Sequence, residues 1–191
     1  MKALGHLLFP VLTIALMLGI SSGTALAQGD NTIYFTTYYS NANTTSAPDA
    51  TVRIINDGDT GGTLWADFYV FDDSQELTEC CACAITPDGL LSESVNKNLT
   101  ANPLTGRINT RGVIKLISSA SGDPTNAKPT AGLRAWATHV QKSGSGYAVT
   151  ETTFADSNLA SGEQTLLQEL CYFDALLSGQ PCSCTPEDHD F

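Results

Sequence analysis

Six cysteines stand in two groups: Cys80-Cys81-Ala82-Cys83 in mid-chain, and Cys171 with Cys182-Ser183-Cys184 near the end. Sulfur at this spacing supports two chemistries, disulfide formation and ligation of a soft metal by thiolates. Six cysteines allow 15 pairings, and spacing alone does not choose among them. Geometry narrows the field. On an extended segment Cys81 and Cys83 project to one face and Cys80 to the other. A bond between the neighbours Cys80 and Cys81 would be strained, so bridges from the first group to the second are expected. Each would close a loop of nearly a hundred residues, worth roughly 4–5 kcal/mol in the chain-entropy account before strain is subtracted. The metal alternative is weaker on spacing, because structural zinc sites carry C-x2-C pairs or added histidines. The histidine nearest the second group in sequence is His189, in Glu187-Asp188-His189-Asp190.

Other residues with chemical potential are sparse. By strand phase His139 shares a face with Leu133, Ala135 and Ala137, which predicts a core-edge histidine hydrogen-bonded to backbone. No Gly-x-Ser-x-Gly elbow, His-Glu-x-x-His helix or phosphate loop occurs. No catalytic residue and no cofactor is assigned on this basis. Asn56, Asp57 and Asp59 surround Gly58, with Asp72-Asp73 a strand away. Clustered oxygens of this kind are candidate Ca²⁺ ligands in an exported protein, although the acidic ladder and closing Glu of an EF-hand are missing. A solvated turn is the expected reading. Asn43-Thr44-Thr45 and Asn98-Leu99-Thr100 are glycosylation sequons, meaningful under eukaryotic-type secretion.

The elements that must position these residues are mostly strands. Ile33–Tyr39, Thr51–Ile55, Thr63–Phe71, Leu77–Thr86, Gly112–Ser118, Leu133–Gln141 and Tyr147–Phe154 carry alternating or aromatic-rich patterns. The clearest is Thr63–Phe71, with Leu64, Ala66, Phe68 and Val70 opposed to Trp65, Asp67, Tyr69 and Phe71. Leu90–Thr100 is ambiguous between strand and irregular structure. One helix stands out near the end. Ser161 and Gln164 suit a capping box. Leu166, Leu170, Phe173 and Leu177 recur at helical spacing, with Leu167 and Leu176 widening the stripe, and Gly179 and Pro181 end it. The fold class predicted is mainly all-β, an antiparallel β-sandwich or distorted barrel with one C-terminal α-helix.

The ends and the composition bound the setting. Residues 1–27 read as a secretory signal: Lys2, an uncharged apolar run from Leu7 to Ile20, then Ala25-Leu26-Ala27 before Gln28. Residues 28–191 then suit one β-rich domain. With 9 Lys+Arg against 20 Asp+Glu the net charge is −11. That disfavours nucleic acid and anionic membrane surfaces as partners. After signal removal no stretch is long and apolar enough to span a bilayer. The expected location is secreted, extracellular or cell-envelope, periplasmic in a Gram-negative cell.

The segments ECCACAITPDGLLSESVNKNLTANPLTG (79–106) and LRAWATHV (133–140) resemble a group of exported bacterial proteins of unknown function. These share a Cys-rich strand with a T-P-x-G turn, an N-P-L-T-G-like segment and an R-A-W-x-T-H segment. The resemblance implies a bacterial exported origin and brings no activity, cofactor or catalytic residue. The leading expectation is a disulfide-stabilised, non-catalytic β-domain with a structural, surface or binding role and an unassigned ligand. Two alternatives are an extracellular fibre subunit that donates its aromatic N-terminal strand (Tyr34, Phe35, Tyr38, Tyr39) to a neighbour, and an exported hydrolase built on His139 or on an acidic pair lining a cleft. Self-association or attachment to a surface polymer fits the first two.

Overall fold

Alternation of period two is obeyed along nearly the whole chain, and the structure follows it. The computed structural model describes residues 31–178 together with Cys184. The signal-like segment, Gly179, Pro181, Cys182 and His189 lie outside the described residues. The strands are β1 (Tyr34–Ser40), β2 (Thr51–Asn56), β3 (Leu64–Asp72), β4 (Leu77–Ile85), β5 (Leu90–Ser94), β6 (Arg111–Ser119), β7 (Leu133–Ser143), β8 (Gly146–Thr153) and the two-residue β9 (Ala155–Asp156). One α-helix, α1 (Ser161–Ser178), follows. The strands form two antiparallel sheets, ordered β4-β3-β6-β1-β9 and β5-β2-β7-β8. The two sheets share no strand, so the architecture is a sandwich and not a closed barrel.

The inner faces meet over one core. Phe35 and Tyr39 of β1, Leu64, Ala66, Phe68 and Val70 of β3, and Ile114 and Leu116 of β6 point inward from the first sheet. Val52, Ile54, Leu91, Leu133, Ala135 and Ala137 answer them from the second. The outer face of the five-stranded sheet carries a second cluster. There Tyr34, Tyr69, Cys80 and Ile117 are covered by Leu167 and Cys171 of α1. This explains why both phases of β3 are apolar: each face of that strand is buried.

Three expectations change on contact with the structure. The ambiguous Leu90–Thr100 resolves into β5 and a single π-turn over Val95–Leu99, whose start is capped by the Ser94 hydroxyl accepting from Lys97 N (3.0 Å). The helix begins as predicted, but the first intrahelical bond runs from Gln164 N to Ala160 O. Ala160 therefore holds the cap position, and the Gln164 side chain reaches instead to Ala127 O (3.3 Å). The third change is rotational. Leu167, Cys171 and Asp174 are the buried face of α1, while Leu166, Phe173, Leu176 and Leu177 are exposed. Of the predicted apolar stripe only Leu167 and Leu170 pack toward the sheet, on the side from which Cys171 bonds Cys80.

The N-terminal strand is fully engaged in its own sheet. β1 pairs with β6 along all seven residues, and Phe35 and Thr36 pair with β9 on the other side. Donation of this strand to a neighbouring copy would first require breaking that ladder.

Candidate functional site

β4 is an edge strand of the five-stranded sheet, paired to β3 with Phe68 opposite Cys81 and Ala66 opposite Cys83. Strand phase separates its cysteines as expected. Cys80 faces the helix side, while Cys81 and Cys83 face the core between the sheets. Cys80 is bonded to Cys171, with Cα atoms 5.7 Å apart and a sequence separation of 91. Cys83 is bonded to Cys184, 5.5 Å apart at a sequence separation of 101. Cys81 is also disulfide-bonded, and Cys182 lies outside the described residues. The two groups are thus bridged across the sheet. Sγ atoms of Cys81, Cys83 and Cys184 lie within 4.8 Å of one another, a spacing a metal ion would accept. In this structure all three are oxidised, so no thiolate is present to ligate.

Carboxylates crowd the same end of the sandwich. Glu79, buried on β4, accepts from Ala101 N (3.0 Å). Burial, opposed by that hydrogen bond and reinforced by the charges of Asp174 and Glu93, pushes its pKa up to about 7. Glu93 is buried beside Cys83, and Asp174 sits under α1 with its pKa raised by burial.

His139 is buried as phase predicted; its closest polar contact is a side chain, with the Tyr38 backbone as a further hydrogen-bond partner. Its Nε2 lies 2.8 Å from Thr152 Oγ1, and its ring stacks on Tyr38 at 4.2 Å between centroids. Burial holds its pKa below the ordinary histidine value. Among the described residues no carboxylate is hydrogen-bonded to Nδ1.

The Asn56–Asp59 turn is held by its own oxygens. Asn56 is buried, donates to Gly62 O and Ile85 O (3.0 Å each) and accepts from Gly58 N (3.1 Å). Asp57 accepts from Asp59 N and forms an ion pair with Arg134 (3.2 Å). These contacts are those of an Asx-stabilised turn. Asn43, in the first sequon, donates to Thr100 Oγ1 and Asn109 O, so its amide is engaged in joining two loops.

A site the sequence reading did not single out lies where β8 crosses from one sheet to the other as β9. Phe154 N bonds Ala135 O (2.9 Å), drawing the crossover against β7. Beside it opens a groove of about 420 Å³ lined by Phe35, Arg134, Trp136, Thr153, Phe154 and Asp156 among others. Trp136 sits at the outward phase of β7, opposite Arg53 on β2 and Thr153 on β8. Arg53 is ion-paired with Glu151 (2.5 Å) on the same face. The groove therefore brings together Trp136, Thr153, Asp156 and Arg134, the last ion-paired with Asp57. One signal for it was present in the sequence: in the alternation of Leu133–Gln141, the largest side chain has the phase opposite to the core residues.

No protein-family model matches this chain, and no curated protein matches it. Among solved structures it is similar to one described as "Crystal Structure of Thermotoga maritima 1070", at 13% identity and a TM-score of 0.44. The match covers 68% of this chain and 97% of that one. At that score the likeness does not define the fold, which rests on the strand pairings above.

Proposed function

We propose that this chain is an exported, non-catalytic binding domain whose ligand site is the groove at Trp136. One observation carries the reading: a groove of ligand size at a sheet crossover, with an aromatic wall and fixed polar groups. The disulfide clasp supports an oxidising compartment. The chemistry suits a neutral ligand with an apolar face and several hydroxyls, as a saccharide has. Such a ring stacks on the indole while Arg134 donates and Asp156 accepts at its rim.

The test is a saccharide panel read by amide chemical-shift changes, repeated on Trp136→Ala. Binding should perturb β7, β8 and β9 and weaken at least about tenfold in the variant. Shifts confined to another face, or equal affinity in Trp136→Ala, would remove the groove from the account.

A further inference from the structure

Most of the face of α1 that the sequence marks as apolar is turned away from the sheet. Leu166, Tyr172, Phe173, Leu176 and Leu177 are 48%, 52%, 58%, 61% and 69% exposed. Scattered exposed leucines are ordinary, but five large apolar side chains on one helix form a patch. Leu166, Phe173 and Leu177 lie along one stripe of the helix at spacings of 7 and 4, the spacing of a seam between two helices, while Leu170 between them is half-buried against the cluster under the helix. The buried face, Leu167, Cys171 and Asp174, is spaced by 4 and 3 and starts one residue further on. The helix thus carries two seams about 100° apart. One is spent on the sheet.

We infer that the second seam is the interface with a second copy of this chain, two α1 helices packing about a twofold axis. A twofold axis places a stripe on itself, so an uncharged seam is its own complement. Side chains of this size at these exposures leave roughly 500 Å² per copy. Pairing would remove about 1,000 Å² in total, the lower bound for a specific contact, which sets a weak dimer. The groove lined by Thr125, Thr165, Gln168, Glu169, Tyr172 and Phe173 runs beside the seam and receives side chains from the opposing helix. Charge argues against a lipid surface as the occupant. The helix bears Glu163, Glu169 and Asp174 and no basic residue, on a chain of net charge −11. Glu163 is ion-paired with Lys115 (2.6 Å). Glu169 is exposed beside the seam, so its approach to the partner's acids makes the dimer tighter with added salt.

Sedimentation of the full exported chain with its disulfides intact tests this. It should be monomeric at about 1 µM and dimeric on the order of 100 µM. Amide exchange in the concentrated sample should slow in α1 alone. Phe173→Asp with Leu177→Asp changes two exposed positions and should leave the circular dichroism unchanged while weakening the dimer at least about tenfold. A monomer at all concentrations overturns the inference. So does a dimer unaffected by the double variant, or protection that falls outside α1. Flotation of the monomeric chain with phosphatidylcholine vesicles, lost in the double variant, would assign the seam to membrane and likewise overturn it.

Discussion

Asp67 shows how far a single residue can depart from its pattern. It sits in the middle of β3, fully buried on the helix-side face, opposite Ala82 and Ile117. Its polar neighbour Ser119 donates its hydroxyl to Ser121 O (3.1 Å). Burial pushes the Asp67 pKa up to about 8, with Ser119 lowering it somewhat and Asp123 raising it. The folded chain therefore keeps this proton at neutral pH, whereas the unfolded chain releases it above the ordinary aspartate value. The native state binds more protons across that window, so stability falls as pH rises from about 4 to about 8 and then levels. Glu79 acts in the same direction up to about 7. Asp67→Asn keeps the shape and removes the titration. It should raise the unfolding free energy at pH 8 by roughly 2–5 kcal/mol and flatten the slope between pH 4 and 8. Urea titrations at a series of pH values measure both, and an unchanged slope in the variant would show that Asp67 is not the titrating group. Sequence alone marked Asp67 only as the outward phase of a strand. It could not show that α1 and the 120–130 loop cover that phase.

At the scale of elements, the seven strands read from pattern were legible to within two residues, because alternation is a local property enforced by burial on one face, whereas pattern did not resolve β5 or the two-residue β9. Thr51–Ile55, Leu77–Thr86 and Leu133–Gln141 correspond to β2, β4 and β7. The helix was legible as a helix but not in its orientation. Periodicity reports that a stripe exists, whereas its direction depends on tertiary packing, here on the side from which Cys171 bonds Cys80. This gives a direct comparison. Leu167→Ala removes a fully buried side chain and should cost about 2–4 kcal/mol in chemical unfolding. Phe173→Ala, a larger deletion on the exposed seam, should cost less than about 0.5 kcal/mol when measured on the monomer. The reverse order would mean that the helix is rotated relative to this description. The groove at Trp136 belongs to the same lesson. Its aromatic wall was readable from phase, but its assembly from β7, β8 and β9 required the crossover at Phe154.

At the scale of the whole molecule, the strand order β4-β3-β6-β1-β9 interleaves distant parts of the chain, and nothing in local pattern specifies that order. The cysteines came closest to doing so, since their grouping predicted that the end of the chain returns to its middle. Among the described residues no helix is long and apolar enough to cross a membrane. The bridges at separations of 91 and 101 residues restrict the unfolded chain over more than half its length. Replacing Cys80 and Cys171 together with Ser should lower stability by about 2–5 kcal/mol. The loss should be similar to that on selective reduction, and peptide mapping without reduction should recover the 83–184 link intact in the variant. A mapped link between Cys83 and any other cysteine would contradict the pairing described.

The clasp also imposes a schedule. Cys80 and its partner lie at a sequence separation of 91, and synthesis at 5–20 residues per second takes on the order of ten seconds to cover it. During that interval the sheet can begin to form while the sulfurs of β4 wait as thiols, with the wrong partners already beside them. Oxidation that comes early would join neighbours within the first group. Oxidation that comes late leaves the helix unmoored. Which pairing results therefore depends on the order in which the cysteines are oxidised.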